Sequence, residues 1–333
     1  MDEGVMRAIE ACYPLHVVAL SRVDAGTASD NFVVSSDAGE RWFAKVYRAG
    51  ADIEAAEGAI ALSSFARAGG SRVPAVHLTG GGEVVARAAG VALSLWELVD
   101  DAVTAEGGLV GQRWKSVGRE VGLLHRRLAL HPVGAPALRP ASAFVDLAAA
   151  AGAYDRLIAA YRRGGTADPY QEWALEAATV RRGLLPEVGA LLERLPELTV
   201  QVVHGDLAAP NVLLRGDDVA AIIDFQPPRP AYLAWEIARI ACDPRTVVAD
   251  DSWIESLPLL LDAYREAYPA VRDEDLDAVV ALGCAYTLAS TYPLAEPLVA
   301  PAVVRSEHAE MSLQRYGRAR HDAALLMLEH LGT

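Results

Sequence analysis

The chain has 333 residues, 52% of them hydrophobic and 22% charged, which is enough apolar material for two lobes and excludes general disorder. Its formal net charge of −14 disfavours nucleic acid as a main partner, because phosphates would be repelled. The three cysteines, Cys12, Cys242 and Cys284, stand far apart without metal-ligand spacing and fit a reducing cytoplasm better than a disulfide scaffold.

Residues 1–4 are acidic and lack the apolar run of a secretory signal, so a cytoplasmic protein is expected. A short helix is predicted near 6–12, then strands at 16–22, 31–35 and 41–46, with a turn at 36–39. The loop at 24–31 contains Gly26, Thr27, Ala28 and Ser29, small enough to let backbone N–H groups approach phosphate oxygens. A plain hairpin turn would read the same way. Only Lys45 and Lys115 among the 30 basic residues are lysine. Lys45 lies inside the apolar strand 43–47, where an unpaired charge would be costly. It therefore has a partner, or else it snorkels from an edge strand.

The helix predicted over 52–68 carries two candidate partners, Glu54 and Glu57. A hairpin at 83–87 and 91–95 follows and leads into 96–101. The helix predicted over 111–130 has Gly118 and Gly122 on one face, which permits close packing, and ends near His125. That histidine is either a packed, hydrogen-bonded residue or a general base. A linker rich in Pro and Ala spans 131–140, before helices at 143–162 and 169–194.

The next segment carries the chemistry. Val202 and Val203 precede His204-Gly205-Asp206, and Asn211 stands five residues after Asp206. Two short apolar runs around Arg215-Gly216-Asp217-Asp218 then form a predicted hairpin that ends at Ile223-Asp224-Phe225. The loop and hairpin thus group three oxygen-bearing side chains, Asp206, Asn211 and Asp224, and Asn211 and Asp224 offer hard oxygens of the type magnesium prefers. Residues 227–230 are Pro-Pro-Arg-Pro and stop regular structure. Helices are predicted at 232–242, 253–268, 274–292 and 309–331. The uncharged stretch 278–295 contains Gly283, Thr287, Ser290, Thr291 and Pro293, which suits a buried helix better than a membrane span.

His204-Gly205-Asp206 with Asn211, followed by Ile223-Asp224-Phe225, resembles the aminoglycoside phosphotransferase and choline kinase branch of the protein-kinase-like fold. Eukaryotic-type protein kinases usually have an arginine where Gly205 stands and a glycine where Gln226 stands, so the small-molecule branch is favoured. The resemblance implies an α+β, bilobal fold with an antiparallel-sheet N-terminal nucleotide-binding lobe (1–97) and a mainly helical C-terminal catalytic and acceptor-binding lobe (98–333). It implies ATP as donor and Mg²⁺ as cofactor. Asp206 would be the catalytic base, Asn211 and Asp224 the metal ligands, and His204 an orienting residue. Lys45 would hold the α- and β-phosphates and pair with Glu57, or with Glu54 one turn earlier. The loop that includes Ser29 would cover the phosphates. The carbonyl of Glu97 and the N–H of Val99 would read the adenine edge. Relatives usually have an aspartate where Glu236 stands, in a structural role, and their helices before the catalytic loop form one wall of the acceptor site.

An ATP/Mg²⁺-dependent O-phosphotransferase acting on a hydroxyl of a small molecule is therefore expected, with no nucleic acid or membrane partner. The leading acceptor is an aminoglycoside or related antibiotic, which implies antibiotic resistance. The alternatives are a metabolite of the homoserine, choline or sugar type, a bacterial Ser/Thr protein kinase of the same fold, and a silent nucleotide-binding module. Carboxylates at Asp146, Asp155, Glu236, Asp243, Asp250, Asp251 and Glu255 suggest a negative cleft suited to a polycation. They equally suit a soluble surface.

Overall fold

The computed structural model describes residues 2–23, 29–164, 169–250, 252–299 and 307–332. Most of the expected phosphate-covering loop (24–28) and Asp251 lie outside the described residues. Helix α1 (Asp2–Cys12) precedes β1 (Val17–Val23), β2 (Ser29–Ser36) and β3 (Arg41–Tyr47). Then come α2 (Ile53–Ala68), β4 (Val76–His77), β5 (Ala86–Ala88) and β6 (Val91–Glu97). These strands form one antiparallel sheet in the order β1-β2-β3-β6-β4, with β5 also on β6.

The pleat of this sheet decides which side chains face the cleft. Phe32 and Val34, Ala44 and Val46, and Leu93 and Leu95 are buried with Val5, Ala8 and Ile9 of α1. Side chains alternate along a strand, so the residues between them face the other way. The register pairs Asn31 with Lys45 and Lys45 with Ser94, and this row points away from the α1 core. Asp52 starts α2 by accepting a hydrogen bond from the Ala55 N–H (3.0 Å), which satisfies an orphan donor of the first turn.

The rest of the chain is mainly helical. In order it comprises β7 (Val103–Thr104), α3 (Arg113–Leu128), β8 (Ala137–Pro140), α4 (Leu147–Gly164), α5 (Pro169–Arg194), β9 (Glu197–Val202), β10 (Val212–Arg215) and β11 (Asp218–Ile222). The remaining elements are β12 (Pro230–Tyr232), α6 (Leu233–Ala241), α7 (Pro244–Val247), α8 (Trp253–Ala267), α9 (Asp273–Asp277), α10 (Val279–Ala289), α11 (Glu296–Val299) and α12 (Glu307–Gly332). Helices α3 and α8 pack backbone to backbone. A Cβ on Gly122 would lie 2.6 Å from the Tyr264 carbonyl oxygen, and one on Gly118 would run into the Leu260 carbonyl. The two glycines permit the close packing read from their spacing. Trp114, Val117, Val121, Leu124 and Leu128 then bury the rest of the α3 face in the main core.

Three sequence expectations change. The end of the Pro/Ala linker is not a loop but β8, paired with β9, and Pro230 opens β12 on the other side of β9. Both are edge strands, the position where a missing proline N–H breaks no ladder. The helix expected over 274–292 divides at Ala278 into α9 and α10. Helix α10 is buried among other helices, and no described helix is long and apolar enough to cross a membrane.

Candidate active site

The hairpin β10–β11 turns at Gly216, whose φ of +64° is left-handed. Past its open end the Ile223 N–H donates to the Asn211 carbonyl (3.0 Å), which holds Asn211 and Asp224 across from each other. Asp224 itself has φ +68°, a conformation that few residues besides Gly, Asn and Asp adopt readily. Asn211 is 8% exposed, and its Nδ2 donates to the Asp206 carbonyl (2.8 Å) and to Asp206 Oδ2 (3.3 Å). Its own side-chain oxygen is left as the remaining acceptor. Lys45 Nζ donates to Asp224 Oδ1. The four residues Lys45, Asp206, Asn211 and Asp224 are thus brought together.

A buried carboxylate sets the shape of the loop that carries Asp206. Glu236 of α6 is fully buried and accepts the backbone N–H of His204 at Oε2 (2.6 Å) and of Gly205 at Oε1 (2.6 Å). His125 Nε2 donates to the same Oε2 (3.0 Å), while its Nδ1 meets the Tyr264 hydroxyl (2.9 Å). Burial alone would raise the Glu236 carboxyl pKa. The His125 hydrogen bond, interaction with the two histidine rings and the Gly205 N–H outweigh it and hold the group below its usual range. His125 is therefore a structural member of this network, remote from the cleft. Gly205 has φ +89°, and a Cβ there would lie 2.7 Å from Gln226 Cβ, so the loop has no room for a side chain at this position.

His204 is also an orienting residue. Its Nε2 donates to the Ile223 carbonyl (2.9 Å), its Nδ1 accepts the Asp206 N–H (3.2 Å), and its ring packs on Phe225 with centroids 4.2 Å apart. Burial lowers its pKa and keeps the ring neutral, which suits one donor nitrogen and one acceptor nitrogen.

Sequence reasoning missed Arg239. It stands three residues after Glu236 on α6, so the two charged residues of an otherwise apolar helix share one side. Arg239 Nη2 pairs with Asp206 Oδ1, its Nη1 donates to the Tyr286 hydroxyl (2.9 Å), and its Nε donates to the Leu207 carbonyl (3.3 Å). Asp206 thereby has one oxygen on a guanidinium and the other near an amide. A lone charged pair at i, i+3 on an apolar helix was the available signal.

The pairing of Lys45 with Glu57 is corrected. Glu57 Oε1 accepts from Arg87 Nη2 (2.7 Å), because β5 brings that guanidinium to α2, while the longer reach of Lys45 ends on Asp224. Glu54 is exposed. Ser29 is buried, and its hydroxyl donates to Asn31 Oδ1 (2.9 Å). Glu97 ends β6, with its N–H on the Ala75 carbonyl (2.8 Å), and Val99 lies two residues on, before β7. Strand β7 pairs with β10, so the segment after Glu97 joins the sheet of the Asn211–Asp224 hairpin. Among the described residues no group of three or more His, Cys, Asp or Glu is placed to hold a metal. Asn211 and Asp224 supply two oxygens, which is what magnesium takes from protein when phosphates provide other ligands.

Beside the Asp206 loop lies a small, partly open cavity with Ala208, Trp235, Arg239, Tyr286, Tyr316 and Arg320 in its wall. Among the described residues, Asp243 is the one expected carboxylate that borders this cavity, and both its oxygens are taken by Arg245 (Nε 2.9 Å, Nη2 3.0 Å). Asp155 pairs with Arg182, Asp146 accepts the Ala149 N–H, Asp250 binds Ser252, Glu255 is exposed on α8, and Glu236 is enclosed beneath the loop. These carboxylates serve caps and ion pairs, and the cavity wall presents arginines and aromatic rings.

The sequence profile of the phosphotransferase enzyme family matches residues 19–274. No curated protein matches by sequence. A crystal structure of spectinomycin phosphotransferase in complex with ADP and spectinomycin superposes with TM-score 0.68 at 13% identity, covering 98% of both chains. An aminoglycoside phosphotransferase from Alicyclobacillus acidocaldarius gives 0.62 at 14% identity, covering 98% of this chain and 95% of its own. A microcompartment-associated aminopropanol kinase gives 0.59 at 16% identity, covering 99% and 98%. They share the bilobal fold: an antiparallel sheet followed by a mainly helical lobe.

Proposed function

This chain belongs to the phosphotransferase enzyme family, and on that footing we propose that it moves the γ-phosphate of ATP to a hydroxyl of a small molecule. The observation that carries this reading is the meeting of Asp206, Asn211, Asp224 and Lys45 at one cleft. Phosphoryl transfer asks mainly for alignment and for positive charge on phosphate oxygens. The acceptor oxygen forms a bond to the γ-phosphorus as the bond to the ADP oxygen breaks, and the hydroxyl proton passes to Asp206. Arg239 and Asn211 hold the Asp206 carboxylate for that task. Lys45 holds the donor's α- and β-phosphates. Magnesium bound by Asn211 and Asp224 would neutralise charge on the transferring phosphate. The Glu97 carbonyl and Val99 N–H read the adenine, at the boundary between a nucleotide lobe of residues 1–97 and a catalytic lobe of residues 98–333. Ser29 sits at the edge of the phosphate-covering loop. The ADP bound to the spectinomycin phosphotransferase supports an adenine nucleotide donor.

An antibiotic acceptor draws support from the spectinomycin and aminoglycoside phosphotransferases, and a metabolite acceptor from the aminopropanol kinase. The two arginines in the cavity wall weigh against a polycation such as an aminoglycoside. The test is a mass-shift screen with Mg-ATP over hydroxyl-bearing antibiotics and metabolites. Added phosphate on one small molecule is the expected result. Phosphate on protein alone, or no ATP turnover with any compound, would overturn the reading.

A further inference from the structure

The cavity beside Asp206 holds a guanidinium that no described carboxylate neutralises and two of whose nitrogens are unpaired. Arg320 of α12 is 5% exposed, and its Nε and Nη2 have no hydrogen-bond partner among the described residues. Its guanidinium lies 4.9 Å from the centre of the Tyr286 ring, the Tyr286 and Tyr316 hydroxyls favour its charge, and no described carboxylate forms an ion pair with it. Behind it, fully buried Arg181 spends its Nη1 on the carbonyls of Thr287 (3.4 Å) and Ser290 (3.3 Å), and Thr287 also lines the cavity. Arg239 borders the side nearest Asp206. The one carboxylate among the described residues of the wall, Asp243, is neutralised by Arg245.

Two buried guanidinium nitrogens without an acceptor are costly, and the planar fork they belong to matches a carboxylate or phosphate two bonds at a time. Trp235, Tyr286 and Tyr316 add flat aromatic walls to a small cavity, which limits any occupant to a compact molecule. From these features we infer that the acceptor is a compact molecule carrying an anionic oxygen group, carboxylate or phosphate, which binds Arg320 while its hydroxyl faces Asp206. The hydroxyl half of this statement rests on the proposed kinase chemistry. The anion site does not.

Melting curves of the wild-type chain, Arg320→Met and Arg320→Lys are measured with glycolate, glycerol 3-phosphate, ethanolamine and glycerol, at constant ionic strength. At least one of the two anions should raise the wild-type melting temperature, and ethanolamine and glycerol should not. The better anion identifies the group recognised. Its affinity should fall about 10- to 100-fold in Arg320→Met and be partly kept in Arg320→Lys. An unchanged anion response in Arg320→Met, or no anion-specific response in the wild type, overturns the site. Should the methionine variant not fold, the wild-type selectivity and the lysine variant still decide. ADP release is measured with the same four compounds. Anion binding without ATP turnover on any hydroxyl compound would defeat the kinase reading and leave the site standing. Turnover confined to ethanolamine or glycerol would do the reverse.

Discussion

Arg239 grips Asp206: the guanidinium of α6 pairs with one carboxylate oxygen of the loop residue while its other end holds the Tyr286 hydroxyl of α10. A carboxylate on a mobile loop would sample many orientations. Here it is fixed between a guanidinium and the Asn211 amide, and the order comes from helices buried in the core.

Asp206→Asn should lower kcat about 10²- to 10⁴-fold, the usual range for a positioned base. Nucleotide affinity should stay near wild type, because Asp206 faces the acceptor side. Single-turnover rates and nucleotide titrations check this, and retention of more than about a tenth of kcat would remove Asp206 from the base role.

Arg239→Met should reduce kcat about 10- to 100-fold, the worth of a charge-assisted hydrogen bond, while the KM for ATP barely moves. Arg239→Lys should recover part of the loss, since it restores charge without the fork. A rise in the KM for ATP with unchanged kcat would mean that Arg239 serves the nucleotide instead.

Lys45→Met should raise the KM for ATP and lower kcat, and Lys45→Arg should not fully rescue it. Asp224→Asn should weaken Mg-ATP binding, with partial recovery at raised Mg²⁺ or with Mn²⁺. The Lys45–Asp224 contact makes the two positions non-additive, so a double-mutant cycle should show coupling. Full activity of Lys45→Arg, or normal metal dependence of Asp224→Asn, would contradict these roles.

Glu236→Gln should destabilise the fold by about 3–5 kcal/mol near neutral pH, as when a buried charged network loses its centre. The Glu236 pKa is lower folded than unfolded, so its stabilisation is complete above the unfolded value and is lost as pH falls toward the folded one. Wild-type stability should therefore drop below about pH 5 more steeply than that of Glu236→Gln. Urea titrations at several pH values measure both slopes, and parallel slopes would refute the linkage.

Gly122→Ala should cost about 1–3 kcal/mol through the α3–α8 contact, because backbone cannot yield as a side chain would. Gly183→Ala, at an exposed position of α5 with nothing within 4 Å of the added Cβ, should be neutral or stabilise by about 0.5–1 kcal/mol. Equal effects on the two melting temperatures would refute the close packing.

The sequence was most legible where chemistry and local structure coincide. The 204–225 motif announced both the loop and the hairpin, and periodicity located α2, α3, α5 and α8 within a few residues. It was silent on Arg239 and Arg320, which reach the site from helices 33 and 114 residues beyond Asp206, where an arginine looks like any solvated cation. Acidic residues misled for the complementary reason. Charge can be counted from composition, but whether a carboxylate meets solvent, a helix N-terminus or an arginine is set by tertiary neighbours. Glu57 shows the same limit: its spacing suited Lys45, and the strand that delivers Arg87 made the other pairing.

The two unpaired nitrogens of buried Arg320 also bear on how such a chain would drift. A hydrophobic residue of similar volume there would stabilise the resting protein. Selection for stability alone would therefore discard this arginine early. A lineage that still needs the reaction would retain it against that pressure, and one that has abandoned the reaction would replace it long before the motif around Asp206 decayed.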